Sequence, residues 1–372
     1  MKSKVKIGLV VALVFAMALV GCSGSSSKSD SSSSSDSSKS DTSASSGTSS
    51  SSSTETFNVD GKGKTVGVAT QHMGNAWNKN AVEAITKSLE SYGFTVNHQD
   101  GGGDTKTQVS AVENFITQGV DYIIVCGGEG GAFNDVSLQA KKAGIPVIGI
   151  DMFLDGAVTG IMCDNWSGGI QMGRYAVNKM NGEGKYILLD TSGWSTLLWR
   201  GQGAESVLSS FKNITKVGET REVAATDPVT QGYEVTKAAL TADPDIKAVL
   251  VTWNMPAVGV YNALKELNKL DSVTIVSADT GDDVISAMTE EGAPDWGFMG
   301  QNSYELGTLA ANSVLKLASG ETLPFSQIGT TYFVTNDDYI DSGVTSVKFQ
   351  NPEDHWNEVL APVLGKFEET ND

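Results

Sequence analysis

Short β-branched runs alternate with helix-period segments from residue 65 to residue 299, and that alternation leaves few folds open. The first run, 65–70, is followed by Ala81, Val82, Ile85 and Leu89 at helical spacing, closed by Gly93. Then come a run at 94–97, a helix opened by Asp104, a run at 122–125, a helix ended by Gly144, and a run at 146–150. A second series begins after Asp164, with runs at 186–189, 216–223, 248–251, 273–277 and 296–299. Nearly continuous apolar strands separated by helices mean parallel sheets covered on both faces. The expected fold class is therefore α/β, with two doubly wound parallel-sheet lobes.

The segment before the first strand has a different character. Lys2, Lys4 and Lys6 precede an uncharged apolar run of 14 residues, 7–20, and then Gly21 and Cys22. A membrane-spanning helix needs about 20 apolar residues, so the run reads as a signal peptide, 1–21. The residues Leu19-Val20-Gly21-Cys22 resemble a bacterial lipobox, in which the Cys is acylated and becomes the new N-terminus. Of the 31 residues 23–53, 21 are Ser, a composition that cannot bury a core. A flexible coil of that length reaches about 30 Å, so 22–56 is expected to tether a folded body to the outer face of the membrane. This implies a bacterial, Gram-positive setting, with the membrane contacted only through the lipid.

The net charge of −18 disfavours nucleic acid and anionic lipid as partners. Beyond Cys22 only Cys126 and Cys163 occur. They read as buried free thiols, with a disulfide between them the alternative.

In open α/β sheets ligands bind beyond the carboxyl ends of strands. That rule selects residues 71–78, 126–131, 151–152, 190–200, 253–254, 279 and 301–302, a set rich in carboxylates, amides and indoles. Gly63-Lys64-Thr65 precedes its strand and lacks the first Gly of a phosphate loop, while the glycine clusters at 101–103 and 127–131 read as tight turns. His72, His98 and His355 form no ligand cluster, so neither metal nor cofactor is expected. Ser195, Asp190 and Asp279 lack a partner His and a nucleophile elbow, which argues against an enzyme. Trp77, Trp166, Trp194, Trp199 and Trp253 lie near element boundaries, and Trp166 reads as core. Trp77 and Trp253 stand where an indole face would pack on the C–H face of a sugar.

Four patterns in order carry a family resemblance: Val66-Gly-Val-Ala-Thr-Gln-His-Met-Gly-Asn-Ala-Trp77, Gly119-Val-Asp-Tyr-Ile-Ile-Val125, Ala143-Gly-Ile-Pro-Val-Ile-Gly-Ile-Asp151, and Asp164-Asn165 followed by Gly168-Gly169. With them the chain resembles the type I periplasmic binding proteins, in particular the ribose-binding-like sugar group. The resemblance implies a ligand cleft between lobes joined by a three-crossing hinge, near Asp164, near Gln301 and at 332–336. Lobe 1 is then 57–163 plus 302–333, and lobe 2 is 164–301 plus 334–372.

Position by position, the resemblance makes Asn75, Trp77, Asp151, Arg200, Asp279 and Gln301 ligand-binding residues. Met152 replaces an Arg, Cys126 an Asn, and Trp253 another Asn, with Asn254 beside it. Trp253 and Asn254 join the main candidates; His72, Cys126, Met152 and Trp199 form a secondary group. Three hydrogen-bonding side chains are thus apolar or aromatic and the retained charges sum to −1, a set that suits a deoxy-sugar, an amino-bearing polyol, a glycoside or a nucleoside better than a free pentose. The expected partners are that ligand and the permease of an ABC importer, with the protein a monomer. The competing class is a sensor that presents its ligand to a membrane chemoreceptor or sensor kinase.

Overall fold

The computed structural model describes residues 56–338. The expected signal segment, Cys22, the Ser-rich tract, His355 and the part of the lobe 2 tail beyond residue 338 lie outside the described residues.

The first lobe contains β1 (Thr65–Thr70), α1 (Ala76–Ser91), β2 (Thr95–Asp100), α2 (Thr105–Gln118), β3 (Tyr122–Cys126), α3 (Asn134–Lys142), β4 (Val147–Ile150) and β5 (Thr159–Cys163). The second contains α4 (Asn165–Lys179), β6 (Glu183–Asp190), α5 (Ser195–Leu208), β7 (Asn213–Lys216), β8 (Arg221–Glu222), α6 (Pro228–Ala242), β9 (Ile246–Val251), α7 (Asn254–Glu266), β10 (Thr274–Ala278), α8 (Asp282–Met288) and β11 (Trp296–Gln301). The chain then returns to the first lobe for α9 (Ser303–Ala318) and β12 (Ser326–Gly329), and ends its described course in the second with β13 (Thr331–Thr335).

The two sheets have the orders β12-β5-β4-β3-β1-β2 and β13-β11-β10-β9-β6-β7. Every pairing is parallel except that of β13 with β11. Each sheet is buried on both faces, which is why its central strands are apolar throughout. In β3, Ile124 and Cys126 face one hydrophobic cluster while Ile123 and Val125 face the other. Each fully buried aliphatic side chain of this kind contributes about 1.5–3 kcal/mol.

Five departures from the sequence expectation stand out. The single strand expected at 216–223 is replaced by β7, which ends at Lys216, and the two-residue β8 at 221–222, with Gly218 at φ 73° between them. β2 extends three residues further than expected, through His98 to Asp100, because an edge strand with intermediate burial tolerates a polar sequence. β5, β12 and β13 were not foreseen. Since β13 pairs with β11, residues 331–333 belong to the second sheet, and the third crossing falls at Thr330, ahead of the expected 332–336.

Helix contacts built on glycine set the geometry near the cleft. A Cβ on Gly169 of α4 would lie 2.2 Å from the Arg200 carbonyl oxygen of α5, and one on Gly203 would lie 2.5 Å from the Trp166 carbonyl oxygen. Only bare backbones allow these two helices to approach so closely. The approach brings the Arg200 side chain under the carboxyl end of the second sheet.

Candidate functional site

Asp151 and Asp279 each follow a strand directly and adopt left-handed backbone angles, φ 62° and 61°. Neither caps a helix, since no helix follows β4 before β5 and α8 is preceded by Gly281. The turn aims both carboxylates past the ends of their sheets.

Arg200 is fully buried. Its Nε donates to Asn165 Oδ1 at 2.7 Å, and its Nη1 donates to the Thr252 carbonyl at 3.0 Å and to Asp279 Oδ2 at 2.8 Å. Asp279 Oδ1 accepts from Gln301 Nε2 at 2.9 Å. One guanidinium thus joins the hinge end of α4, the end of β9 and the β10 turn, and Asp279 joins Gln301 at the second crossing.

Asp151, Arg200, Asp279 and Gln301 line a narrow cavity between the lobes, walled by Trp77 and Asn75 on one side and by Trp194, Trp253 and Asn254 on the other. Trp194 and Trp253 stack with ring centroids 6.1 Å apart, and Trp253 Nε1 donates to Thr191 Oγ1 at 3.1 Å. All eight main candidates line this one cavity. Asn75 does so while also capping α1, its Oδ1 accepting from the Asn78 amide at 2.9 Å. That leaves its amide nitrogen as the group free for other work.

The secondary candidates are not among the lining residues. His72 and Cys126 stand behind Asn78, whose Nδ2 donates to the His72 carbonyl at 2.7 Å and whose Oδ1 accepts from Cys126 Sγ at 3.8 Å. Met152 is fully buried in the core beneath β4. Trp199 faces Phe153 across the lobes at 6.1 Å. Both cysteines are free and buried. Gln71, Asn78, Gly127, Trp194 and Leu197 line the cavity without having been assigned to it from the sequence, although all lie in the strand-end segments. Trp194 had a usable signal in its boundary position, which it shares with Trp77 and Trp253.

Four buried polar atoms lining the cavity have no protein partner: the donors Trp77 Nε1 and Arg200 Nη2, and the acceptors Asp151 Oδ1 and Gln301 Oε1. Native proteins satisfy nearly all such atoms, so four around one cavity mark a place for a polar molecule. A hydroxyl both donates and accepts, and so meets this mixture. Burial pushes the Asp151 carboxyl up to about 6, opposed by Arg200, reinforced by Asp279 and eased by Thr196. A larger hollow beside Lys179, Asp271 and Asp295 is lined by no unpartnered buried polar atom among the described residues.

The lobes meet around the cavity. Thr196 Oγ1 of α5 donates to Asp151 Oδ2 at 3.3 Å, and a Cβ on Gly193 would lie 2.8 Å from Glu129 Cγ.

The sequence matches the periplasmic binding protein domain over residues 66–322. It is 25% identical to the ribose import binding protein of Bacillus subtilis over 61% of this chain and 73% of that protein. It is also 25% identical to a galactofuranose-binding protein of Escherichia coli, over 61% of this chain and 74% of the relative. Among solved structures, an ABC sugar transporter subunit from Rhodobacter sphaeroides superimposes with TM-score 0.71 at 21% identity, covering 74% of this chain and 99% of that one. A 5-methylthioribose transporter solute-binding protein from Thermotoga lettingae superimposes with TM-score 0.71 at 23% identity, covering 82% and 94%.

Proposed function

Because the chain belongs to the periplasmic binding protein domain family, type I sugar-binding branch, we propose that it captures a small sugar-like molecule by lobe closure and delivers it to an ABC importer. It is a solute-binding protein and not an enzyme. The observation that carries the ligand reading is the set of four unpartnered buried polar atoms around a cavity walled by indoles. Indole faces suit the apolar side of a sugar ring, and the mixed donors and acceptors suit its hydroxyls. The relatives named for ribose, galactofuranose and 5-methylthioribose support the same class.

The pocket residues in this reading are Asn75, Trp77, Asp151, Arg200, Trp253, Asn254, Asp279 and Gln301, with Trp194 added by the geometry. The protein works at the outer face of the membrane as a monomer, held there by acylation of Cys22 and spaced from the lipid by the Ser-rich tract.

A thermal-shift screen of sugars, polyols and nucleosides tests the ligand. A compound that binds only the folded protein stabilises it by about 2.7 kcal/mol at one hundred times Kd. Small-angle scattering with a stabilising compound is expected to show a more compact particle; an unchanged one contradicts closure. Cys22→Ala is expected to release the protein from membranes with ligand affinity intact, and full membrane retention contradicts the anchor.

A further inference from the structure

We propose that the ligand of this cavity carries a protonated amine that pairs with Asp151, so that the preferred ligands are amino sugars or amino polyols rather than their neutral parents. The inference rests on the solute-binding reading above and narrows its ligand class.

The charge inventory of the cavity carries it. Among the lining residues only Asp151, Arg200 and Asp279 are charged, leaving a net −1. Arg200 and Asp279 neutralise one another at 2.8 Å. Both oxygens of Asp279 are committed, one to Arg200 and one to Gln301, and Arg200 is further held by Asn165 and Thr252. Asp151 has no ion pair among the described residues. Among the described residues its side-chain hydrogen-bond partner is the neutral hydroxyl of Thr196, at 3.3 Å, and its Oδ1 is buried with no partner.

The groups facing Asp151 are Arg200 and Thr196 from α5, Asp279 from the β10 turn, Cys126 at the end of β3 and Cys163 at the end of β5. Burial raises both thiols well above neutral pH, so they stay uncharged. The adjacent Met152 is apolar and points into the core. Among the described residues nothing therefore pairs with Asp151 to supply the missing positive charge.

Closing a carboxylate away from water without a counter-charge is costly, and a neutral hydroxyl returns one hydrogen bond without cancelling the charge. An ammonium supplies the charge and three donors. The indole walls on either side are also favourable to a cation. The competing arrangement is a protonated Asp151 donating to a neutral ligand, and it has the opposite pH dependence.

The test is titration calorimetry of the full chain with matched pairs: glucosamine and glucose, galactosamine and galactose, mannosamine and mannose, and aminodeoxyinositol and inositol. The amine member of a binding pair is expected to bind at least tenfold tighter at pH 7, with affinity rising as pH increases through about 6, where Asp151 ionises. In Asp151→Asn the amine member is expected to lose at least tenfold and its advantage over the parent to vanish. A parent that binds as tightly as its amine, or affinity for a neutral sugar that grows as pH falls, overturns the inference and leaves sugar binding standing. Absence of binding in both columns overturns the inference together with the sugar reading.

Discussion

Asp151 and Asp279 occupy the same place in the two lobes. Each follows a central strand in the left-handed conformation, and each backbone amide donates at 2.7 Å to a carbonyl on the neighbouring strand, Ile161 for Asp151 and Met299 for Asp279. The backbones match, but the charge environments do not: Asp279 has a guanidinium and Asp151 has a threonine.

That difference makes the ligand-free stability depend on pH. The folded-state Asp151 carboxyl, pushed up to about 6 by burial, holds its proton more tightly than in the unfolded chain, where the ordinary value is 3.8. Between those values the folded state binds more protons, so its stability falls as pH rises from 4 to 6 and stays low above that. Asp151→Asn is expected to raise ligand-free stability by about 2–3 kcal/mol at pH 7 and hardly at all at pH 4. Calorimetric melting across that range checks it; an offset independent of pH contradicts it.

Asp279→Ala should behave in the opposite way. It leaves Arg200 fully buried without its carboxylate, and breaking a buried pair from one side costs about 3–5 kcal/mol. Loss of both melting temperature and ligand affinity is expected. Glu266→Gln, in an exposed pair with Lys237, should change stability by less than about 1 kcal/mol and leave binding alone.

The close approach of α4 and α5 can be probed by adding one methyl group. Gly169→Ala forces the Arg200 backbone aside, with an expected loss of about 1–3 kcal/mol and weaker ligand binding. Gly131→Ala is the control, because nothing lies within 4 Å of its Cβ position. Equal effects of the two would remove the role assigned to the helix contact.

The stacked indoles should separate by function. Trp253 is buried and its Nε1 donates to Thr191, so Trp253→Ala is expected to lower both stability and affinity. Trp194 is partly exposed and has no such bond among the described residues. Trp194→Ala is therefore expected to reduce affinity by about tenfold or more with a much smaller change in melting. Unchanged affinity would show that Trp194 only covers Trp253.

The alternation of apolar strands and helices was enough to establish two parallel-sheet lobes and to direct attention to the residues after each strand, because burial on both faces imposes a composition that survives in one dimension. The edge strands β12 and β13 escaped and β2 was cut short, since partial exposure leaves their composition mixed. Within the strand-end segments, only the tertiary structure decided which neighbour faces the cavity. Asp151 lines it while Met152 enters the core; Asn78 lines it while His72 stands behind; on α5 Arg200 lines it while Trp199 faces Phe153. These segments have no period from which direction could be read. A left-handed turn at Asp151 and the glycine contact between α4 and α5 set those directions through backbone contacts between residues distant in sequence.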